Sequence, residues 1–402
     1  MRKSVAIIGS RGYPSYYGGF ETLIRRLAPY LADKGWSVVA YGRPGTIKTD
    51  DDSRDHRVRS VTTPGLETKS LSTLTYGLSA CLHAAWKRPD AALVLNVANG
   101  FWLPILKMRG IPTVVNVDGM EWERAKWGRA AKIVFKMGAR MTARFADIIV
   151  CDSVEIQRRW KTQFARSSDF IAYGADESAN LELVENLQEK SYVLYVARFV
   201  PENSIEEFLA AAEVISERHK VVIVGSSGYG GDLDQRALQL SKNSENVTWL
   251  GHLSDDQKLF SLWQHCGAYF HGHSVGGTNP ALVQAMALGA PIVARDTTYN
   301  REVLGDAGRF VEPDPAAIVK SINELICNRD EQTALGMLAN GRATSNYSWS
   351  LICDKYEASL RRAIGVPIGT SKQGSASVAS YSGNSITQSH VKPDTNSAEG
   401  ER

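Results

Sequence analysis

The chain has 402 residues, of which 22% are charged and 43% hydrophobic, with a formal net charge of +3. That length exceeds one typical core and points to two soluble globular domains, while so small a charge gives no case for a nucleic-acid partner. The five cysteines are widely spaced without a CxxC pair, which argues against a disulfide framework or zinc knuckle and fits a reducing cytosol.

The opening MRKSVAIIGS holds too few apolar residues for a signal-peptide core and reads as a first strand. No uninterrupted apolar run approaches the ~18 residues of a membrane span, so a soluble or peripheral protein is expected. Short apolar runs alternate with helical segments from end to end, the pattern of a parallel α/β architecture. In the first half the expected strands are Val5–Ile8, Ser37–Tyr41, Ala91–Leu95, Thr113–Val117 and Asp147–Cys151. In the second half they are Tyr192–Ala197, Lys220–Val224, Val247–Leu250, Gly267–His271 and Pro291–Ala294. Between them, Asp176 to Lys190 is polar and acidic and marks the domain boundary. Two doubly wound, Rossmann-like halves, 1–180 and 181–346, would face each other across a cleft at the carboxyl ends of their strands. Residues 347–365 form an amphipathic helix, and 366–402 turn to Ser, Gly, Thr and Asn, a composition expected to stay disordered.

Candidate chemistry follows the strand ends. After the first strand, Gly9, Gly12, Gly18 and Gly19 make a loop longer than the usual βα turn, suited to covering a ligand or simply to connecting. It is not GxGxxG, so a dinucleotide fingerprint is absent. The strand Thr113–Val117 runs into Asp118, Glu121 and Glu123 beside Trp122. A carboxylate there can accept a proton from an attacking hydroxyl, or merely decorate a helix N-terminus. From Arg124 to Arg144 come seven basic residues and no acid. Arg129, Lys132, Lys136, Arg140 and Arg144 share one helical face, with Ile133, Val134, Met137, Met141 and Phe145 expected opposite. Such a face docks on an anionic membrane, or is an ordinary solvated surface over a core.

In the second half, Arg198 ends a strand where a guanidinium can pair with phosphate oxygens. The most informative stretch is HGHSVGGTNPALVQAMA, His271 to Ala287. Gly272, Gly276 and Gly277 permit a tight turn, Asn279 is a natural N-cap and Pro280 a natural first helical residue. Backbone N–H groups around Gly276 to Asn279 thus suit a diphosphate, although a strand-turn-helix without a ligand reads the same way. His271 and His273 point to one side without a third ligand nearby, so no metal is expected, and no GxSxG elbow occurs.

Together GSRGYPSYYGGFETLIRRLA, VDGMEWERAKW, YVARFVPEN and HGHSVGGTNPALVQAMA resemble a bacterial family-four glycosyltransferase of the two-Rossmann GT-B fold, over Val5 to Ile364. Within it they resemble a polysaccharide-assembly subgroup that includes rhamnosyltransferases acting on lipid-linked acceptors. The resemblance implies a retaining, metal-independent enzyme without a cofactor, cytoplasmic or peripheral at the inner membrane face. Its second domain would hold a nucleotide-diphosphate sugar, and the first a glycan or lipid-linked acceptor. It implies Arg198 at the leaving diphosphate, Asp118 at the acceptor hydroxyl with Glu121 in reserve, and a last helix that crosses back. Donor contacts would come from Gly18, Gly19, Asn203, His273, Gly276, Gly277, Thr278, Asn279 and Gln284. Three positions depart from the wider family: Gly276 and Gln284 stand where it has glutamates, and Asn203 where it has a lysine. One cation is thereby missing from the diphosphate site. A neutral Gln284 against a ribose suggests a deoxyribose donor, with dTDP-rhamnose leading. A nucleotide-sugar epimerase or hydrolase, or a non-catalytic nucleotide-sugar binder, are the alternatives.

Overall fold

The computed structural model describes residues 2–366 apart from 17, 49–50, 53, 69–70, 125–126 and 178–179. The expected tail therefore lies outside the described residues. The first sheet comprises β1 (Ser4–Ile8), β2 (Ser37–Gly42), β3 (Arg59–Thr62), β4 (Ala91–Leu95), β5 (Thr113–Asn116), β6 (Ile148–Cys151) and β7 (Asp169–Phe170). The second comprises β8 (Tyr192–Val196), β9 (Lys220–Val224), β10 (Val247–Trp249), β11 (Ala268–His271), β12 (Ile292–Arg295) and β13 (Arg309–Val311). The orders are β3-β2-β1-β4-β5-β6-β7 and β10-β9-β8-β11-β12-β13. Every described pairing is parallel, for example Ile7 against Leu93 and Tyr195 against Ile223. Both sheets reverse order beside their first strand, and ligands of such sheets collect at that switch point.

Each strand expected from the sequence is present within a residue or two of its bounds. The strands without an apolar signal, β3, β7 and β13, all lie at sheet edges. Their residues are mostly half-buried, whereas central β4, AALVL, is buried throughout. An edge strand packs on fewer neighbours and needs fewer apolar side chains, so periodicity does not announce it.

The last helix, Trp349–Ala363, packs on the first sheet. It starts where Ala175 N–H donates to the Tyr347 carbonyl at 2.7 Å, and Ser348 caps it. Ile352, Cys353, Tyr356 and Leu360 are buried, each large side chain contributing about 1.5–3 kcal/mol. At its centre the Tyr356 hydroxyl accepts from Asn116 Nδ2 at 2.6 Å, beneath the carboxyl end of β5.

The helix Arg129–Phe145 departs from expectation. Its buried residues are Gly138, Ala139 and Thr142, while Ile133 and Met137 are 61% and 46% exposed. The cause is close backbone approach. A β-carbon on Gly138 would collide with the Val97 carbonyl, 2.5 Å away, so small residues face the protein there. The larger apolar side chains are displaced onto the flanks, with Val134 and Phe135 turned toward the cleft. Arg129, Lys136, Arg140 and Arg144 are exposed and Lys132 half-exposed, so the outer surface mixes cations with Ile133 and Met137.

Candidate active site

The carboxyl ends of both sheets line one open cavity of about 950 Å³. Gly18, Gly19, Asp118, Glu121, Arg124 and Asp152 come from the first sheet's side. Arg198, Glu202, Asn203, His273 and Gly276–Asn279 come from the second. Most of the residues singled out in the sequence thus meet in one place, although they are far apart in the chain.

Asp118 follows β5 with φ +57, a left-handed conformation uncommon outside glycine. Its N–H donates to Asn116 Oδ1 at 2.8 Å, and Asn116 is tied to Tyr356 of the last helix. That helix therefore sets the strand end that carries Asp118. Glu121 is already committed: its carboxylate pairs with Arg124 Nε at 2.5 Å and accepts from Trp127 Nε1 at 2.9 Å. It serves as a support for Arg124, which does not suit the reserve role in proton transfer.

The helix Pro280–Ala287 begins as the sequence predicts, with Asn279 Oδ1 accepting from Ala281 N–H at 2.9 Å and Pro280 in the first turn. Gly276 has φ +103, which a side chain there would rarely tolerate. Thr278 differs from expectation. Its N–H donates to the Asp152 carbonyl at 3.1 Å and its hydroxyl to the same oxygen, so this amide is used in holding the two sides together. Among the described residues the N–H groups of Gly276 and Gly277 have no such partner.

Two other donor-site expectations are corrected. Gln284 does not line the cavity: its Oε1 accepts from Asp176 N–H at 2.9 Å and its Nε2 donates to the Asp176 carbonyl at 3.0 Å. A neutral amide matches a backbone N–H and C=O pair, so glutamine here clamps the inter-sheet connection. Asn203 reaches the cavity edge, but its Nδ2 donates to the Arg198 carbonyl at 2.8 Å and shapes that turn. Arg198 itself is exposed at the cavity, with no ion-pair partner among the described residues. It remains available for an anion.

His271 and His273 stack with ring centroids 4.4 Å apart. Burial, then the nearby Arg198 and Arg124 cations, push the His273 pKa down to about 3, so it is neutral at physiological pH. Its Nδ1 lacks a partner among the described residues, which leaves it for a ligand hydroxyl. Among those residues no cluster of His, Cys, Asp and Glu has the makings of a metal site.

Two cleft residues were not singled out from the sequence. Asp152, directly after β6, is 2% exposed, and its Oδ1 has no partner among the described residues. Burial, then the neighbouring Asp118 charge, push its pKa upward. The rule that flagged Asp118, an acid at a strand's carboxyl end, applies equally to it. Arg124, counted only within the basic run, is drawn into the cleft by carboxylates. Burial opposes its charge, but Asp118, Glu121, Asp152 and Glu202 outweigh that and raise its pKa. Nearby, Glu302 accepts from Ser153 Oγ at 2.8 Å and Val154 N–H at 2.6 Å, tying the two sides at a helix N-terminus.

Residues 181–342 match the family described as glycosyl transferases group 1, and residues 68–176 a domain of unknown function, DUF1972. The O-antigen chain mannosyltransferase B of Escherichia coli is 24% identical over 38% of this chain and 41% of its own length. A phosphatidyl-myo-inositol mannosyltransferase of Mycolicibacterium smegmatis is 27% identical over 58% of this chain and 62% of its own. The chain thus spans less than two thirds of either relative. Among solved structures, the sucrose-phosphate synthase of Thermosynechococcus elongatus superposes with a TM-score of 0.77 at 18% identity, over 90% of this chain and 100% of that one. These likenesses agree with the paired parallel sheets and the cleft between them: residues 181–342 resemble the group 1 glycosyl transferases, and the chain has the two-domain GT-B fold.

Proposed function

We propose that the protein is a glycosyltransferase that moves a sugar from a nucleotide-diphosphate donor to a glycan or lipid-linked saccharide, in synthesis of cell-surface polysaccharide or glycolipid. One observation carries the reading: Arg198 and the Gly276–Gly277 turn face Asp118 across a single cavity. A cation and backbone N–H groups stabilise charge on a departing diphosphate, the logic of an oxyanion hole. Asp118 orients the acceptor hydroxyl and takes its proton. His273 contacts the donor sugar, and Gly18 and Gly19 close over the phosphates. Acceptor attack from the face that the diphosphate leaves would retain the anomeric configuration, with no protein nucleophile and no metal required. Leu71, Leu74, Trp127, Val134 and Phe135 give the cavity an apolar wall, which favours a lipid-linked acceptor.

The donor is the least constrained part. The ribose argument for dTDP loses its support once the Gln284 amide is engaged with Asp176. Rhamnose then rests on the subgroup resemblance, and the relatives named as mannosyltransferases make mannose its rival. A panel of dTDP-, GDP- and UDP-sugars supplied with bacterial membrane lipid extract tests the reading. Transfer from dTDP-rhamnose is the expected result, and transfer from a GDP- or UDP-sugar alone replaces rhamnose while keeping the mechanism.

Peripheral attachment to an anionic membrane completes the proposal. Among the described residues no helix is long and apolar enough to cross a bilayer. The cations of Arg129–Phe145 lie beside exposed Ile133 and Met137, as an interfacial helix requires. Binding to phosphatidylserine-containing vesicles is expected to weaken with salt, since screening acts over about 8–10 Å near physiological ionic strength. Replacing Lys132, Lys136 and Arg140 together with Glu should abolish it in a flotation assay. Equal flotation of variant and wild type would make this an ordinary solvated face.

A further inference from the structure

The diphosphate site of the second sheet has Asn203 where the wider family resemblance leads one to expect a second cation. That asparagine is 5% exposed and bonded to the Arg198 carbonyl, so it offers a phosphate no charge. The opposite wall brings a guanidinium, that of Arg124, into the same cavity. Arg124 Nη2 lies 3.4 Å from where a β-carbon on Gly119 would stand and 3.9 Å from where one on Gly276 would. It is therefore wedged between the strand end of the first sheet and the glycine turn of the second. Its Nε pairs with a Glu121 carboxylate oxygen at 2.5 Å, and its Nη2 lies toward Gly276. Arg198 and Arg124 both act electrostatically on His273, which places the two cations around one imidazole.

We propose that Arg124 is the second cation of the diphosphate site, contributed across the cleft by the first domain. The assignment rests on the glycosyltransferase reading and deepens it. A guanidinium paired with a carboxylate on its Nε side can still donate from its Nη groups to phosphate oxygens, and its charge cannot be lost at physiological pH. Because it belongs to the opposite wall, it meets the diphosphate only while the two walls are together. Donor binding and cleft closure are thereby coupled, an arrangement that a lysine at 203 would not produce.

The test is calorimetric titration of the full chain with dTDP, dTMP and thymidine, with the guanosine and uridine series run alongside. Wild type should prefer the diphosphate to the monophosphate. In Arg124→Gln that preference should fall about tenfold or more, the weight of a charge-assisted contact, while nucleoside binding stays unchanged. Since Arg124→Gln removes the guanidinium from beside the buried Glu121 carboxylate, the Glu121→Gln/Arg124→Gln double variant takes both charges away together, and the same loss is expected. Arg124→Lys should restore part of the preference, which a purely structural role would not do. If the wild type and the neutral double variant discriminate diphosphate from monophosphate equally, Arg124 is not a phosphate ligand. If the wild type binds no nucleoside diphosphate of any series, the glycosyltransferase reading falls and this assignment with it.

Discussion

Replacing Arg198 with alanine is expected to lower turnover by about 100-fold or more with little change in thermal stability. The guanidinium stands exposed at the cavity with no ion-pair partner among the described residues, so removing it leaves no buried charge behind. Surface substitutions of that kind usually shift stability by no more than about 0.5 kcal/mol. The loss should appear in kcat as well as kcat/KM, because charge on the bridging oxygen is largest as the glycosidic bond breaks. Steady-state kinetics on a variant with wild-type melting checks it. Unchanged kcat in that variant would remove Arg198 from the reaction.

A comparable loss is expected from a single methyl group. A β-carbon at Gly277 would overlap the Asp152 carboxylate, standing 2.7 Å from Oδ2 and nearer still to Oδ1. Asp152 cannot yield easily, since its own carbonyl is held by Thr278. Gly277→Ala must therefore push the glycine turn away from the end of β6. A misplacement of about 1 Å in a catalytic constellation can cost on the order of 100-fold in rate. Overpacking itself typically destabilises by about 1–3 kcal/mol. Adding Asp152→Gly removes the overlapping carboxylate, so the double variant should regain the lost melting temperature. Gly277→Ala with full activity and unaltered melting would mean that the two walls do not meet as described.

How much of this was legible in the sequence depends on the reach of each interaction. The central strands, the Asn279 cap and the Pro280 start are local, and the sequence announces them through apolar runs and capping chemistry. Asp118 and Arg198 were found because strand ends point at the cleft. Asp152 obeys the same rule, but its single acid stands out less in the sequence than the denser DGMEWE motif. What sequence could not supply is pairing over distance. Gln284 bonds to Asp176 and Glu302 to Ser153, contacts between residues more than 100 positions apart. The helix Arg129–Phe145 failed for a different reason. Periodicity assigns large apolar residues to the buried side, whereas close approach at Gly100 and Gly138 reserves that side for small ones. Arg124 was hidden by its company, one cation in a basic run until carboxylates on both walls drew it inward.

The proposed reaction transfers a sugar from a nucleotide to a separate acceptor in this cleft. The most direct measurement follows nucleoside diphosphate release from the nucleotide-sugar panel, with and without membrane lipid extract, and looks for label moving into lipid. A glycosyltransferase should give release that depends on the extract, is matched mole for mole by labelled lipid or glycan, and is lost in Arg198→Ala. Release or rearrangement of the donor without acceptor would identify a hydrolase or epimerase, and nucleotide binding without turnover in any mixture would identify a non-catalytic binder; either result would contradict glycosyl transfer in this cleft.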